Sequence, residues 1–296
     1  MAKPADSAAL LAIVGPTASG KTALAVELAA RFDGEIICAD SRTIYRELDI
    51  GTAKPSLAEL ARAPHHLLDI SEPNQPYSAA EFKRAATAAV AGIRARGKLP
   101  ILVGGSGLYL WSVLYDYRFP PGASRSLRAE LEQVPPAELV RRLEQLDPER
   151  AAAIDLNNPR RVIRALETVG QPRIAPAALP PGTVIIGLNP GLPELERRIA
   201  ARTAQQLAAG LIEEVRRLLG RYDRSIEPFN TVPYRETIAF LDGDITQEEL
   251  AQLISRHNRQ LAKRQLTWFK RNPDIHWAAD AAQAAILAAD LLAYPV

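Results

Sequence analysis

At 296 residues, with 36 Lys and Arg against 34 Asp and Glu and a formal charge of +2, the chain is long enough to bury a full core. It is too nearly neutral for composition alone to establish a polyanionic partner. A single cysteine, Cys38, excludes internal disulfides and a cysteine-built zinc site. No apolar run is long enough to span a membrane, and residues 1–7 lack a signal peptide's basic start and apolar stretch; the expectation is a cytoplasmic monomer with no membrane partner.

Residues 9–14 form an apolar run that predicts a strand. They lead into Gly15-Pro16-Thr17-Ala18-Ser19-Gly20-Lys21-Thr22, and residues 23–29 then carry a helical pattern. Strand, G-x-x-x-x-G-K-T and helix in that order are the context a P-loop requires. Gly15 and Gly20 let the backbone amides of Thr17, Ala18 and Ser19 turn inward. Lys21 supplies a mobile cation, and the Thr22 hydroxyl is placed to ligate Mg²⁺ between phosphate oxygens. The cradle reads a diphosphate and is silent on what the diphosphate carries.

A second β-type run, residues 35–39, ends in Asp40-Ser41-Arg42-Thr43. Ligands of open parallel sheets gather at the carboxyl ends of strands, so Asp40 is aimed at the crevice that holds the cradle. Its type and place leave three roles open: reacting base, metal ligand or turn-capping carboxylate. Residues 51–56, Gly-Thr-Ala-Lys-Pro-Ser, read as a polar loop over the site. Residues 66–70 resemble a short strand, and His65 and His66, with no third ligand at metal spacing, read as a structural pair. Ser78 and Glu81 form a capping box before an amphipathic helix to Arg96. The strand at 99–103 ends in Gly104-Gly105-Ser106-Gly107, which sets Ser106 beside Asp40 across adjacent strand ends.

The texture changes over residues 119–158. Pro120-Pro121 and Pro135-Pro136 separate short helical pieces at 124–132 and 137–146, with no strand signal. The predicted fold class is α/β: a P-loop NTPase-like parallel sheet flanked by helices, with a small all-helical insertion domain. Residues 1–118 and 159–296 form the core domain, and 119–158 the insertion. Arg160, Arg161 and Arg164 share the exposed side near the start of the next helix, where cations oppose the helix dipole unless an anion meets them. A strand at 183–188 resumes the sheet, and two amphipathic helices follow at 193–209 and 211–221. Arg235, after Val232-Pro233-Tyr234, is expected to reach back to a phosphate. Thr246 and Glu249 cap a long helix with Arg256, Arg259, Lys263 and Lys270 on one face and Trp268 and Phe269 at its end, a surface suited to a nucleic-acid backbone.

An NTP-driven phosphoryl transferase would place an acidic residue after the strand at 99–103, where this chain has glycine and serine. A diphosphate that leaves from an activated alkyl donor suits these residues better, the cradle stabilising the departing charge and Asp40 taking a proton from the attacking nucleophile. The two rivals are a small-molecule kinase using ATP and a non-catalytic RNA-binding nucleotide switch.

The P-loop, Asp40-Ser41-Arg42-Thr43-Ile44-Tyr45, Gly51-Thr52-Ala53-Lys54-Pro55, Gly104-Gly105-Ser106-Gly107-Leu108-Tyr109 and residues 158–167 occur in an order and spacing that resembles the bacterial tRNA dimethylallyltransferase family. The resemblance implies transfer of a dimethylallyl group from dimethylallyl diphosphate to N6 of the adenosine 3′-adjacent to the anticodon (A37), in tRNAs reading codons that begin with U. It implies Asp40 as general base with Ser106 at the site, and Thr17 to Thr22 as donor site. It also implies tRNA contacts from Asp40, Ser41, Arg42 and Thr43 and from Arg160, Arg161, Val162, Ile163 and Arg164. The chain departs from the family at Ser106, where threonine is usual, and at Pro233, where glycine is usual.

Overall fold

The computed structural model describes residues 9–119, 125–171 and 177–292. The readings of the N-terminal residues 1–7, of Pro120-Pro121 and of Ser124 lie outside them. The chain divides into two compact units: one runs to Asp116 and resumes at Ala178, and the other is Tyr117–Ala177.

In the larger unit β1 (Leu10–Val14) feeds the P-loop and α1 (Lys21–Arg31), and β2 (Gly34–Cys38) follows. All five residues of β1 are buried, as in a strand covered on both faces. Helix α2 (Leu57–Arg62) precedes β3, which is only His65–His66. Helix α3 (Ala79–Ala95), β4 (Leu99–Gly104) and α4 (Gly107–Leu114) complete the first half. After the insertion, whose helices take the intervening numbers, come β5 (Thr183–Leu188), α9 (Leu192–Ala208), α10 (Leu211–Leu219), a 3₁₀ turn at Glu227–Asn230, α11 (Tyr234–Leu241), α12 (Gln247–Phe269), β6 (Ile275–Ala278) and α13 (Ala281–Leu291). The six strands form one parallel sheet in the order β3-β2-β4-β1-β5-β6.

The register sets the site. Val14 aligns with Gly104 and with Gly187, and Cys38 with Val103, so the turns after β1, β2 and β4 open at the same edge of the sheet. Helix α1 lays Leu24, Ala25 and Leu28 on Leu11, Ile13, Ile36 and Ile101, which fixes the axis of the helix under the loop. The expected strand at 66–70 shrinks to two residues because Leu67 and Asp69 take positive φ and break the extended path. His65 and His66 are a structural pair: His66 Nε2 meets Glu35 Oε2 at 2.7 Å and His65 Nδ1 donates to the Ala63 carbonyl at 2.8 Å.

The smaller unit holds α5 (Arg125–Glu132), α6 (Pro136–Leu146), α7 (Pro148–Ala153) and α8 (Pro159–Glu167). Its boundaries are wider than the expected 119–158. Val162, Ile163 and Ala165 of α8 join Leu131, Leu139, Leu143 and Ala151 in one core, so α8 belongs with the insertion. The apolar stripe of α8 would have been left exposed by a boundary at 158.

Candidate active site

The first cradle glycine has a steric reason. Gly15 sits at φ +151°, and a Cβ there would stand 2.6 Å from the Leu188 carbonyl of β5. Downstream, α1 begins without a side-chain cap and without an acidic residue in its first turn, whereas α2, α3 and α12 each carry a full capping box. The amides at the start of α1 therefore keep their positive potential for a ligand. Ala18 takes positive φ and packs its methyl against Ile199 of α9 and Ala262 of α12, which clamps the crown of the loop from outside the sheet.

The side chains that brace this loop from other elements are not among those the sequence nominates. Gln265 of α12 accepts the Thr17 N–H at 2.7 Å and donates to the Gly105 carbonyl at 3.0 Å, joining the turns after β1 and β4. Arg202 of α9 donates to Thr17 Oγ1 at 3.2 Å, and one turn earlier Arg198 donates to the Ser19 carbonyl at 3.0 Å. The signal was present as arginines four residues apart on one helix face, but amphipathic helices commonly carry such pairs on their solvent side.

Gln265 and Arg202 line a cavity of about 310 Å³ into which Thr17 to Thr22, Asp40, Arg42, Thr43 and the loop from Gly51 also open. Lys21 donates to the Pro16 carbonyl at 2.6 Å. Burial, followed by the nearby Arg202 charge, lowers its pKa to about 7, with Asp40 opposing the shift. Burial also pushes the Arg202 guanidinium below its usual range. Two cations held against their hydration mark a site that gains from an anion. Cys38 lines the same cavity, yet burial and the Asp40 charge raise its thiol to about 12, so it stays protonated and is no nucleophile.

Asp40 faces the cavity and also caps a turn, its Oδ1 accepting the Arg42 N–H at 2.8 Å. The turn holds the carboxylate at the cavity, so the capping role is filled without removing Asp40 from that lining. Ser106 stands beside it across the strand ends: its Oγ accepts the Ser41 N–H at 3.0 Å and lies 3.3 Å from Ser41 Oγ. Ser106 thereby acts on the site through the 40–43 turn. Among the described residues seven buried side-chain polar atoms have no partner, and four of them, Ser19 Oγ, Thr43 Oγ1, His65 Nε2 and Gln206 Oε1, belong to residues lining this cavity. Orphaned polar atoms concentrated in one cavity are expected where a ligand completes the network.

Arg235 is elsewhere. Its Nη2 donates to Glu236 Oε1 at 2.6 Å and lies 3.2 Å from His257 Nδ1, so the expected reach to a phosphate is replaced by an ion pair on α11, and Arg202 takes that place. The peptide bond before Pro233 is cis, and Tyr234 then enters the core, where its hydroxyl donates to Glu214 at 2.9 Å. On α12, Lys263 is exposed, as is Lys270 just beyond its end, while Arg259 pairs with Glu196 at 3.6 Å. The two aromatics part company: Phe269 is fully buried, and Trp268, 36% exposed, lies across Gly107 next to Ser106. In the smaller unit Arg160 and Arg161 are exposed, but Val162 and Ile163 are core side chains and Arg164 pairs with Glu167 at 3.0 Å. A side-chain contact of Val162 or Ile163 with RNA is therefore corrected to a packing role.

Among the described residues no group of three or more His, Cys, Asp or Glu side chains could hold a metal alone. The donor set still suits Mg²⁺, which is commonly held by one or two protein oxygens together with substrate phosphates, here the Thr22 hydroxyl and the Asp40 carboxylate on one cavity. No described helix is long and apolar enough to cross a membrane.

A parallel sheet whose first strand runs through G-x-x-x-x-G-K-T into a helix, with a carboxylate at the next strand end, defines a P-loop-type α/β protein. The model of the IPP transferase family matches residues 43–272, and the chain belongs to that family. It is 44% identical over 278 residues to tRNA dimethylallyltransferase 1 of Citrifermentans bemidjiense, covering 90% of this chain and 91% of the relative. It is 45% identical over 284 residues to the protein of the same name in Trichlorobacter lovleyi, covering 91% of this chain and 93% of the relative. Among solved structures, the full-length tRNA isopentenylpyrophosphate transferase of Bacillus halodurans superposes with a TM-score of 0.74 at 38% identity, covering 96% of this chain and 97% of that one. A eukaryotic dimethylallyltransferase acting on tRNA superposes with a TM-score of 0.77 at 25% identity, covering 95% of this chain and 77% of that one.

Proposed function

We propose that this chain is a tRNA dimethylallyltransferase: it moves a dimethylallyl group from dimethylallyl diphosphate to N6 of A37, the adenosine 3′-adjacent to the anticodon, and releases diphosphate. The observation that carries the reading is the Asp40 carboxylate opening into the same cavity as the P-loop, Lys21 and Arg202. The amides of residues 17–22 with Lys21 and Arg202 bind the donor's diphosphate and stabilise the charge that grows on it as the C1–O bond breaks. Asp40 accepts the proton that N6 loses as the N6–C1 bond forms, and the 40–43 turn, braced by Ser106, keeps the carboxylate aimed at the amine. Thr22 would hold a Mg²⁺ ion that, when bound, neutralises the leaving diphosphate. Chemistry on a base requires it to be unstacked, and Thr43 Oγ1, buried without a partner in the cavity, is placed to meet the extruded nucleoside. In the larger unit the Lys263 to Trp268 end of α12 offers a cationic and aromatic surface to RNA, and in the smaller unit Arg160 and Arg161 are exposed cations suited to phosphate. The protein acts as a monomer in the cytoplasm.

Mass spectrometry of an anticodon stem-loop after incubation with the protein, Mg²⁺ and dimethylallyl diphosphate tests this. A gain of one C5H8 unit located on the adenosine 3′ of the anticodon is expected. Recovery of unmodified RNA with the donor intact would overturn the assignment.

A further inference from the structure

Gly51, Thr52, Ala53 and Pro55 form one wall of the cavity, and the loop at 49–54 spends its hydrogen-bond donors inside the protein. The N–H groups of Asp49 and Ile50 donate to Glu214 Oε2 at 3.0 and 2.7 Å, and that of Gly51 to Glu214 Oε1 at 3.0 Å. The Tyr234 hydroxyl, which packs against Gly51, donates to Glu214 as well. The N–H groups of Ala53 and Lys54 turn back to the Ile50 and Asp49 carbonyls, both at 3.1 Å. The Thr52 hydroxyl donates to the Leu48 carbonyl, and the Lys54 ammonium to the Tyr45 carbonyl, Asp49 and Asp69. Gly51, Ala53 and Pro55 therefore face the cavity without an N–H to offer, and the Thr52 hydroxyl is spent as well. A diphosphate needs donors, whereas an alkyl chain is best met by a wall that has none to strand.

The wall is also held in place. Three successive amides converge on the carboxylate of Glu214, which is 2% exposed, a concavity of the kind that elsewhere binds anions. A Cβ on Gly51 would stand 2.5 Å from the fully buried Tyr234 ring. Gln206 donates to the Ile50 and Gly51 carbonyls at 2.7 and 2.9 Å from the same face of α9 that sends Arg202 to Thr17. One helix thus spaces the wall from the diphosphate cradle.

The geometry points to Glu214 as a positioning residue that fixes how long an alkyl group the cavity accepts, by holding residues 51–55 as the wall against the donor's chain. This rests on the donor reading given above. The test compares kcat/KM for dimethylallyl and geranyl diphosphate in the wild type, Glu214→Gln and Tyr234→Phe, with thermal unfolding in parallel. Glu214→Gln is expected to lower the preference for the shorter donor about tenfold or more, the scale at which a hydrophobic pocket discriminates by size. Tyr234→Phe, which removes one hydrogen bond and keeps the ring, is expected to lower it about threefold. Folded variants that slow both donors in equal proportion would overturn the proposal, and if Glu214→Gln does not fold, Tyr234→Phe decides. Wild-type protein that transfers neither chain would sink the donor reading itself, and this inference with it.

Discussion

Arg202→Ala separates the cation that the tertiary structure brings to the cradle from the one that the sequence nominates. Arg202 donates to Thr17 Oγ1 at 3.2 Å and lines the same cavity as Lys21. A charge-assisted hydrogen bond of this kind contributes about 1.5–3 kcal/mol, which corresponds to roughly a 10- to 150-fold rise in donor KM when it is removed. The effect on the fold has the opposite tendency. Without a ligand, burial and the Arg202 charge together depress the Lys21 ammonium to about 7, so removing Arg202 relieves the neighbouring cation. The expected signature is a raised donor KM, an unchanged affinity for the RNA and a melting temperature that does not fall. Arg235→Ala is the control: tied to Glu236 and His257, it is expected to move donor KM by less than about twofold. Steady-state kinetics with the donor varied at saturating stem-loop, beside calorimetric melting, give both readouts. A donor KM unchanged in Arg202→Ala, or raised equally in Arg235→Ala, would refute the reasoning.

Asp40→Asn keeps a side chain that can cap the Arg42 N–H but removes the proton acceptor, so kcat should fall about 10²- to 10⁴-fold while donor binding, measured by calorimetry, stays near wild type. Glu35→Gln tests the acid side of stability: hydrogen bonds from Arg96 and then His66 hold this buried carboxylate below its usual range. A depressed carboxylate stabilises the fold above its unfolded pKa of about 4.3 and loses that contribution as pH falls through the folded value. The variant should therefore be about 1–3 kcal/mol less stable at neutral pH and show a flatter acid limb in denaturant titrations, with a difference that shrinks as pH falls below the unfolded value. Replacing Arg160 and Arg161 with Gln should make the salt dependence of RNA binding shallower, by about 0.7–0.9 in the log–log slope for each phosphate no longer neutralised, whereas Ile163→Ala should cost about 2–4 kcal/mol of stability.

Local rules carried much of the fold into the sequence. The run at 9–14 is a fully buried strand, and the capping boxes at Ser78 and Thr246 form as their spacing requires. Those features depend on residues within a few positions of one another, where backbone sterics and amide satisfaction decide the outcome. The P-loop is legible for the same reason, since its glycines, lysine and hydroxyl fall within eight consecutive residues. Asp40 was legible one step further, because the carboxyl ends of parallel strands share an edge whatever the helices do.

Other features depended on packing across the chain. Val162 and Ile163 read as part of an arginine-rich segment until α8 found Leu139 and Leu143, and that packing moved the insertion boundary. Arg202 and Gln265 lie on helices far along the chain whose faces are set only when α9 and α12 close over Ala18. Glu214, an acidic residue in a helix that looked amphipathic and solvated, became the anchor of the 49–51 loop for the same reason. Sequence by itself determined the P-loop, the strands β1, β2, β4 and β5 and the carboxylate at the tip of β2. Only the tertiary structure decided which arginine meets the cradle and what holds the opposite wall, because a helix face has no fixed partner until another element packs against it.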